Sequence, residues 1–64
     1  MQEIINILMR RDGIDETVAK EILDECATEV NDAINRGALF DAENAIEDYL
    51  GLEPDYLEYF LFGY

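Results

Sequence analysis

Between Gly13 and Gly37 the chain runs without a glycine or a proline, and its apolar residues recur at helical rather than strand spacing. That stretch decides most of what the chain can fold into. Placed at about 100° per residue, from 3.6 residues per turn, Val18, Ala19, Ile22, Leu23, Cys26, Val30, Ala33 and Ile34 fall on roughly one half of a wheel. Glu21, Asp24, Glu25 and Asp32 fall on the other half, and Glu29 lies at the border. A helix from about Glu16 to Arg36 is predicted. Asp15 is its expected N-cap, with Glu16 in the first turn. Gly37 is its expected stop, with Leu39 placed to make the hydrophobic contact that often accompanies one.

The flanking segments follow the same grammar. Gln2 to Arg10 carries Ile4, Ile5, Ile7 and Leu8, an amphipathic opening helix with Arg10 and Arg11 in its last turn, where cations suit the helix dipole. Gly13 is its expected stop. Phe40 precedes Asp41, which reads as a further N-cap for a third helix over Ala42 to Leu50, with Ala45, Ile46, Tyr49 and Leu50 inward. Gly51 then repeats the device of Gly37, again followed by a leucine, Leu52. Pro54 suits the first turn of a last short helix, where its missing N–H costs nothing. Tyr56, Leu57, Phe60 and Leu61 are its apolar residues, with Leu57, Phe60 and Leu61 assigned to the core. No stretch alternates cleanly, and Asp and Glu are depleted in strands. The predicted fold is all-α: one domain over residues 1–64, a small bundle of three to four short helices. A domain of about 60 residues buries only around 60% of its unfolded surface, so the core is marginal.

Charge is the second constraint. Sixteen acids face four bases, a net charge of -12. Residues 1–20 hold four acids and three bases, a net of -1, so residues 21–64 hold twelve acids and one base, a net of -11. Such a field keeps a protein soluble at some cost in stability. It excludes direct binding to nucleic acid or an anionic membrane, both of which need Lys and Arg. It favours a basic partner. The lone Cys26 allows no internal disulfide and fits a reducing cytoplasm. No secretory leader or membrane-length apolar run is read in the sequence.

Chemical motifs are few. The chain has no histidine, which removes the commonest general base and transition-metal ligand. One cysteine cannot build a structural zinc site. Lys20 follows no glycine-rich phosphate loop. "DGIDE" at residues 12–16 has the look of a calcium loop, but a true EF-hand spreads its ligands over about 12 residues and closes with a bidentate Glu. Here Leu23 stands at that last position, and a helix stop followed by a cap explains Gly13 and Asp15. Cys26 on the apolar face reads as core, its thiol pKa raised by acidic neighbours. No cofactor, metal or enzymatic activity is expected.

The carboxylates themselves carry the functional signal. Residues three or four apart on a helix sit about 5–6 Å apart at Cβ. Glu21, Glu25, Glu29 and Asp32 follow this spacing with Asp24 beside them, and Glu43, Glu47 and Asp48 extend the field from the third helix. The rows set anionic oxygens at intervals comparable to successive phosphates of a DNA strand. Like-charge pairs four apart destabilise a helix, and mixed signs would serve solubility as well. Near the C-terminus, Tyr59, Phe62 and Tyr64 are candidate contact residues, since aromatics give large rigid contact area.

The tail "YLGLEPDYLEYFL" resembles that of small acidic proteins encoded in bacterial and prophage genomes. Size and charge are similar to phage-encoded inhibitors that mimic DNA, including anti-CRISPR and anti-restriction proteins. The resemblance implies a non-enzymatic binder that occupies the basic groove of a nucleic-acid-binding host protein in the bacterial cytoplasm. Its expected contact set is Glu21, Asp24, Glu25, Glu29, Asp32, Glu43, Glu47, Asp48, Tyr59, Phe62 and Tyr64. Two alternatives stand beside it. One is a small helical interaction module, a homodimer in one form, that uses the C-terminal aromatic face. The other is an acidic, cation-buffering regulator.

Overall fold

A computed structural model describes residues 1–62; Tyr64 of the expected contact set lies outside them. The fold is a small all-α bundle. Helix α1 spans Gln2–Asp12, α2 spans Glu16–Asn35, and α3 spans Leu39–Ala45. The helical path of α3 continues as a π-helical turn over Ile46–Leu50. A 3-10 turn at Pro54–Tyr56 leads into α4, Leu57–Phe62. Pro54 opens that last segment at its first position, as its fixed φ predicts.

Helix α2 is the central element: α1, α3 and the π turn all pack on it. Its twenty residues rise about 30 Å, which accounts for most of the 34 Å long axis of the molecule. Ala19, Leu23, Cys26, Val30 and Ala33 are its buried residues, in steps of four, three, four and three. That seam belongs to one buried cluster with Ile4, Ile5 and Leu8 from α1, Ala42, Ala45, Ile46 and Leu50 from α3 and the π turn, and Leu57 from α4. Val18, at the edge of the apolar arc, is exposed instead.

The helix ends obey local chemistry. The Asp15 carboxylate accepts from the Val18 N–H at 2.9 Å, satisfying one otherwise unpaired donor of α2. At the other end, the Ala38 N–H donates to the Ala33 carbonyl at 2.8 Å and the Gly37 N–H to that of Ile34 at 3.0 Å. This is a Schellman stop, with Gly37 in the left-handed region at φ 74°. Gly51 ends the π turn differently, with a single bond from its N–H to the Glu47 carbonyl at 2.9 Å. So the two stops read as one device are two related ones. The sequel differs as well. Leu52 packs against the core, but Leu39 begins α3 and is 55% exposed, so the expected contact at Gly37 is absent.

Three further expectations are corrected, one each in α3, the π turn and α4. Helix α3 starts at Leu39 rather than Ala42, and Asp41 is not its cap: Ala38 precedes the helix with no side-chain cap bond, and Asp41 lies in the first turn. The Asp41 carboxylate faces Arg36 at 3.6 Å instead. Tyr49 is not inward but 41% exposed. The π turn is the reason. Its i→i+5 bonding is wider than an α turn, so each residue advances by less than about 100°. Leu50 therefore arrives at the bearing Tyr49 would have held, and Leu50 is fully buried. In α4, Leu57 is buried and Phe60 half-buried, but Leu61 is exposed rather than core, because so short a helix has only one side against the bundle.

Candidate functional site: the acidic face

The outer side of α2 is built as the sequence pattern predicts. Glu21, Asp24, Glu25, Glu29 and Asp32 are all exposed. Glu47 and Asp48 of the π turn are exposed too, and Glu43 of α3 is half-buried. Among the described residues, ion pairs join Arg11 to Asp12, Lys20 to Glu16 and Arg36 to Asp41. None engages the eight carboxylates of the expected contact set, so their charge is left uncancelled by the chain itself.

The residue that joins the two acidic elements is one the sequence pattern assigned to the core. Tyr49 leaves the π turn toward α2, and the negative charge of Glu29 pushes its phenol pKa above the ordinary value. Partial desolvation and the charge of Glu25 add to the shift, with smaller contributions from Cys26 and Asp48. One turn before Tyr49, the Cys26 thiol donates to the Ala45 carbonyl at 3.7 Å, which pins the start of the π turn to the middle of α2. Glu25, Glu29, Asp48 and Tyr49 thus form one surface from two elements. A π-turn has no sequence signature separate from an α-helix, so only the packing exposes this residue.

Cys26 itself is fully buried, and burial raises its thiol pKa to about 11. The direction matches the expectation, but the cause is loss of solvent rather than acidic neighbours. The residues of "DGIDE" are engaged locally. Arg11 Nε and Nη2 donate to the two Asp12 carboxylate oxygens at 2.9 and 3.0 Å, holding that carboxyl below its usual pKa, while Asp15 caps α2. Among the described residues no group of three His, Cys, Asp or Glu is arranged to hold a metal ion, and no helix is long and apolar enough to cross a membrane.

The C-terminal aromatics are divided. The Tyr59 hydroxyl donates to Glu3 Oε2 at 2.7 Å, and its ring stacks on Tyr56 with centroids 5.4 Å apart and an interplanar angle of 18°. Tyr59 therefore ties α4 to α1 and is half-buried. Phe62 stands 66% exposed at the end of α4. Neither residue is joined to the acidic face by any of these contacts. Comparison with protein-family models, curated proteins and solved structures returned no match to this chain.

Proposed function

We propose that this protein is a non-enzymatic acidic binder that occupies the basic nucleic-acid groove of a host protein, in the manner of an anti-CRISPR or anti-restriction inhibitor. The observation that carries this reading is the row of exposed carboxylates on α2 and the π turn that no base of the chain neutralises. A groove lined with Lys and Arg would supply those charges. Complementary fields speed encounter by about 10–10³ and weaken steeply with salt. Tyr49, flanked by Glu25 and Glu29, adds a ring on which a guanidinium can stack while the carboxylates pair with it. The reading assigns the protein to a bacterial cytoplasm, where such targets work and a lone thiol stays reduced.

The test is affinity capture from a bacterial lysate at low and high salt, with and without competing duplex DNA. Capture of a nucleic-acid-binding protein that DNA and salt both displace is expected. Glu25→Lys with Glu29→Lys should abolish the capture; retention at full strength would overturn the reading.

One observation favours a second reading. Leu61 and Phe62 are exposed on α4, as an interaction module working through its C-terminal aromatic face, as a homodimer or with another protein, would require. Binding of that kind would be indifferent to salt and lost on Phe62→Ser.

A further inference from the structure

The bundle leaves one pair of large apolar side chains beside the acidic face. Leu39 and Phe40 open α3 with 55% and 73% of their surface exposed. Single exposed apolar residues are common. Two adjacent ones are less easily dismissed in a domain this small, where each large side chain kept out of the core is a substantial loss. Their surroundings are anionic. Glu43 lies one turn along the helix, three residues from Phe40 and four from Leu39, where side chains on a helix meet. Glu47 follows one turn later, exposed. The Arg36 charge is already paired with Asp41, the residue that follows Phe40.

This charge pattern selects the occupant. A second copy would bring the same carboxylates, and among the described residues Arg10 is the one lysine or arginine outside the ion pairs. An anionic membrane is repelled by the same field. A helix with an apolar stripe bordered by lysine and arginine meets neither obstacle: its stripe covers the apolar pair, and its cations reach Glu43 and Glu47. We propose that Leu39 and Phe40 form an apolar anchor that docks a basic amphipathic helix of a partner protein, with Glu43 and Glu47 pairing its flanking cations. This rests on the reading of the chain as a binder of basic proteins, and adds which part of the partner is gripped and where.

Two synthetic peptides of equal charge separate the two ideas. One carries leucine and lysine at helical spacing; the other has serine in place of leucine. Each is titrated by fluorescence anisotropy against the full chain, against Leu39→Ser with Phe40→Ser, and against Glu25→Lys with Glu29→Lys. The leucine–lysine peptide should bind at least about tenfold tighter than its serine counterpart, the scale of an interface hot spot. That advantage should vanish in the double serine variant and survive in Phe40→Tyr, which keeps the ring. Both positions are exposed, so circular dichroism should be unchanged. An advantage that persists without Leu39 and Phe40, or no advantage at all, overturns the anchor. Salt-sensitive binding of the serine peptide would then still support the acidic-face reading. Binding of neither peptide at low salt overturns both.

Discussion

The hydroxyl of Tyr59 donates to the carboxylate of Glu3 across 2.7 Å, and so the last helix is fastened to the first by residues 56 positions apart. The bond favours the neutral phenol and pushes its pKa up to about 12, with partial desolvation adding to the effect. Burial raises the Cys26 thiol from 9.0 to about 11 in the same sense. In both cases the folded chain holds its proton more tightly than the unfolded chain, so unfolding releases protons in alkali and stability falls as pH rises. The contribution is present in full below pH 9.0, the ordinary thiol value, and is lost as pH climbs through about 11 and then about 12. Urea midpoints measured across that window should decline, and Tyr59→Phe with Cys26→Ala should flatten the decline. A flat profile in the native chain would contradict the bond and the burial together.

Cys26 should also report on folding. A fully buried thiol with a raised pKa reacts with a disulfide reagent only when the core opens. Its labelling rate in native buffer should therefore follow the global unfolding equilibrium and rise with urea in step with the loss of helical dichroism. Rapid labelling in native buffer would show that the seam of α2 opens locally.

Leu8→Ala removes a fully buried side chain that links α1 to the α2 seam. Such truncations cost about 2–5 kcal/mol, and a single core of this size rarely supplies more than about 3–5 kcal/mol. Loss of the cooperative thermal transition is expected. A melting point within a few degrees of the parent would mean that α1 contributes little to the bundle.

The two glycine stops separate strain from crowding. Gly37 adopts φ 74° with open space where a Cβ would sit, so Gly37→Ala should cost only the left-handed strain, about 1–2 kcal/mol. At Gly51, φ is 65° and a Cβ would meet Arg11 Nη1 at 3.2 Å. That guanidinium is held by Asp12, and its Nη1 donates to the Gly51 carbonyl at 3.4 Å. Gly51→Ala should therefore be the more destabilising, and adding Arg11→Ala should bring the two costs together. Chemical denaturation of the three variants checks the order.

Neutralising acids should strengthen the fold while weakening the proposed binding. Glu21, Glu25 and Glu29 are spaced four apart on α2, and like-charge pairs at that spacing cost about 0.2–0.5 kcal/mol each. Glu25→Gln with Glu29→Gln should raise the melting temperature at low salt, with the gain shrinking as salt screens the repulsion. A lower melting temperature would mean that these carboxylates support the fold.

Features decided within a few residues were legible in the sequence: Asp15 as a cap, Gly13, Gly37 and Gly51 as stops, the apolar seam and acidic back of α2. Each depends on a local conformation or a wheel position, which the residue types themselves impose. The start of α3 was not legible, because the Ala38 methyl has no acceptor oxygen to signal a cap and Asp41 offered a false one. The exposure of Tyr49 depends on whether a turn closes at i+4 or i+5, and the packing of that turn on α2 decides that. Tyr59 was read as a free contact residue because Glu3, its partner, lies at the far end of the chain.

A helix that closes one turn at i+5 has taken in one residue more than its ladder can register. Removing a single residue between Ile46 and Leu50 would restore ordinary closure, at no cost in composition beyond that residue. With Glu47 or Asp48 removed, Tyr49 would stand two residues after the buried Ile46, about 200° around an ordinary helix, and so would turn farther from the core side. The two sides of the acidic face are thus joined by a change in length rather than by a change in residue type, and a one-codon deletion of Glu47 or Asp48 would re-aim the ring that joins them at the loss of a single carboxylate.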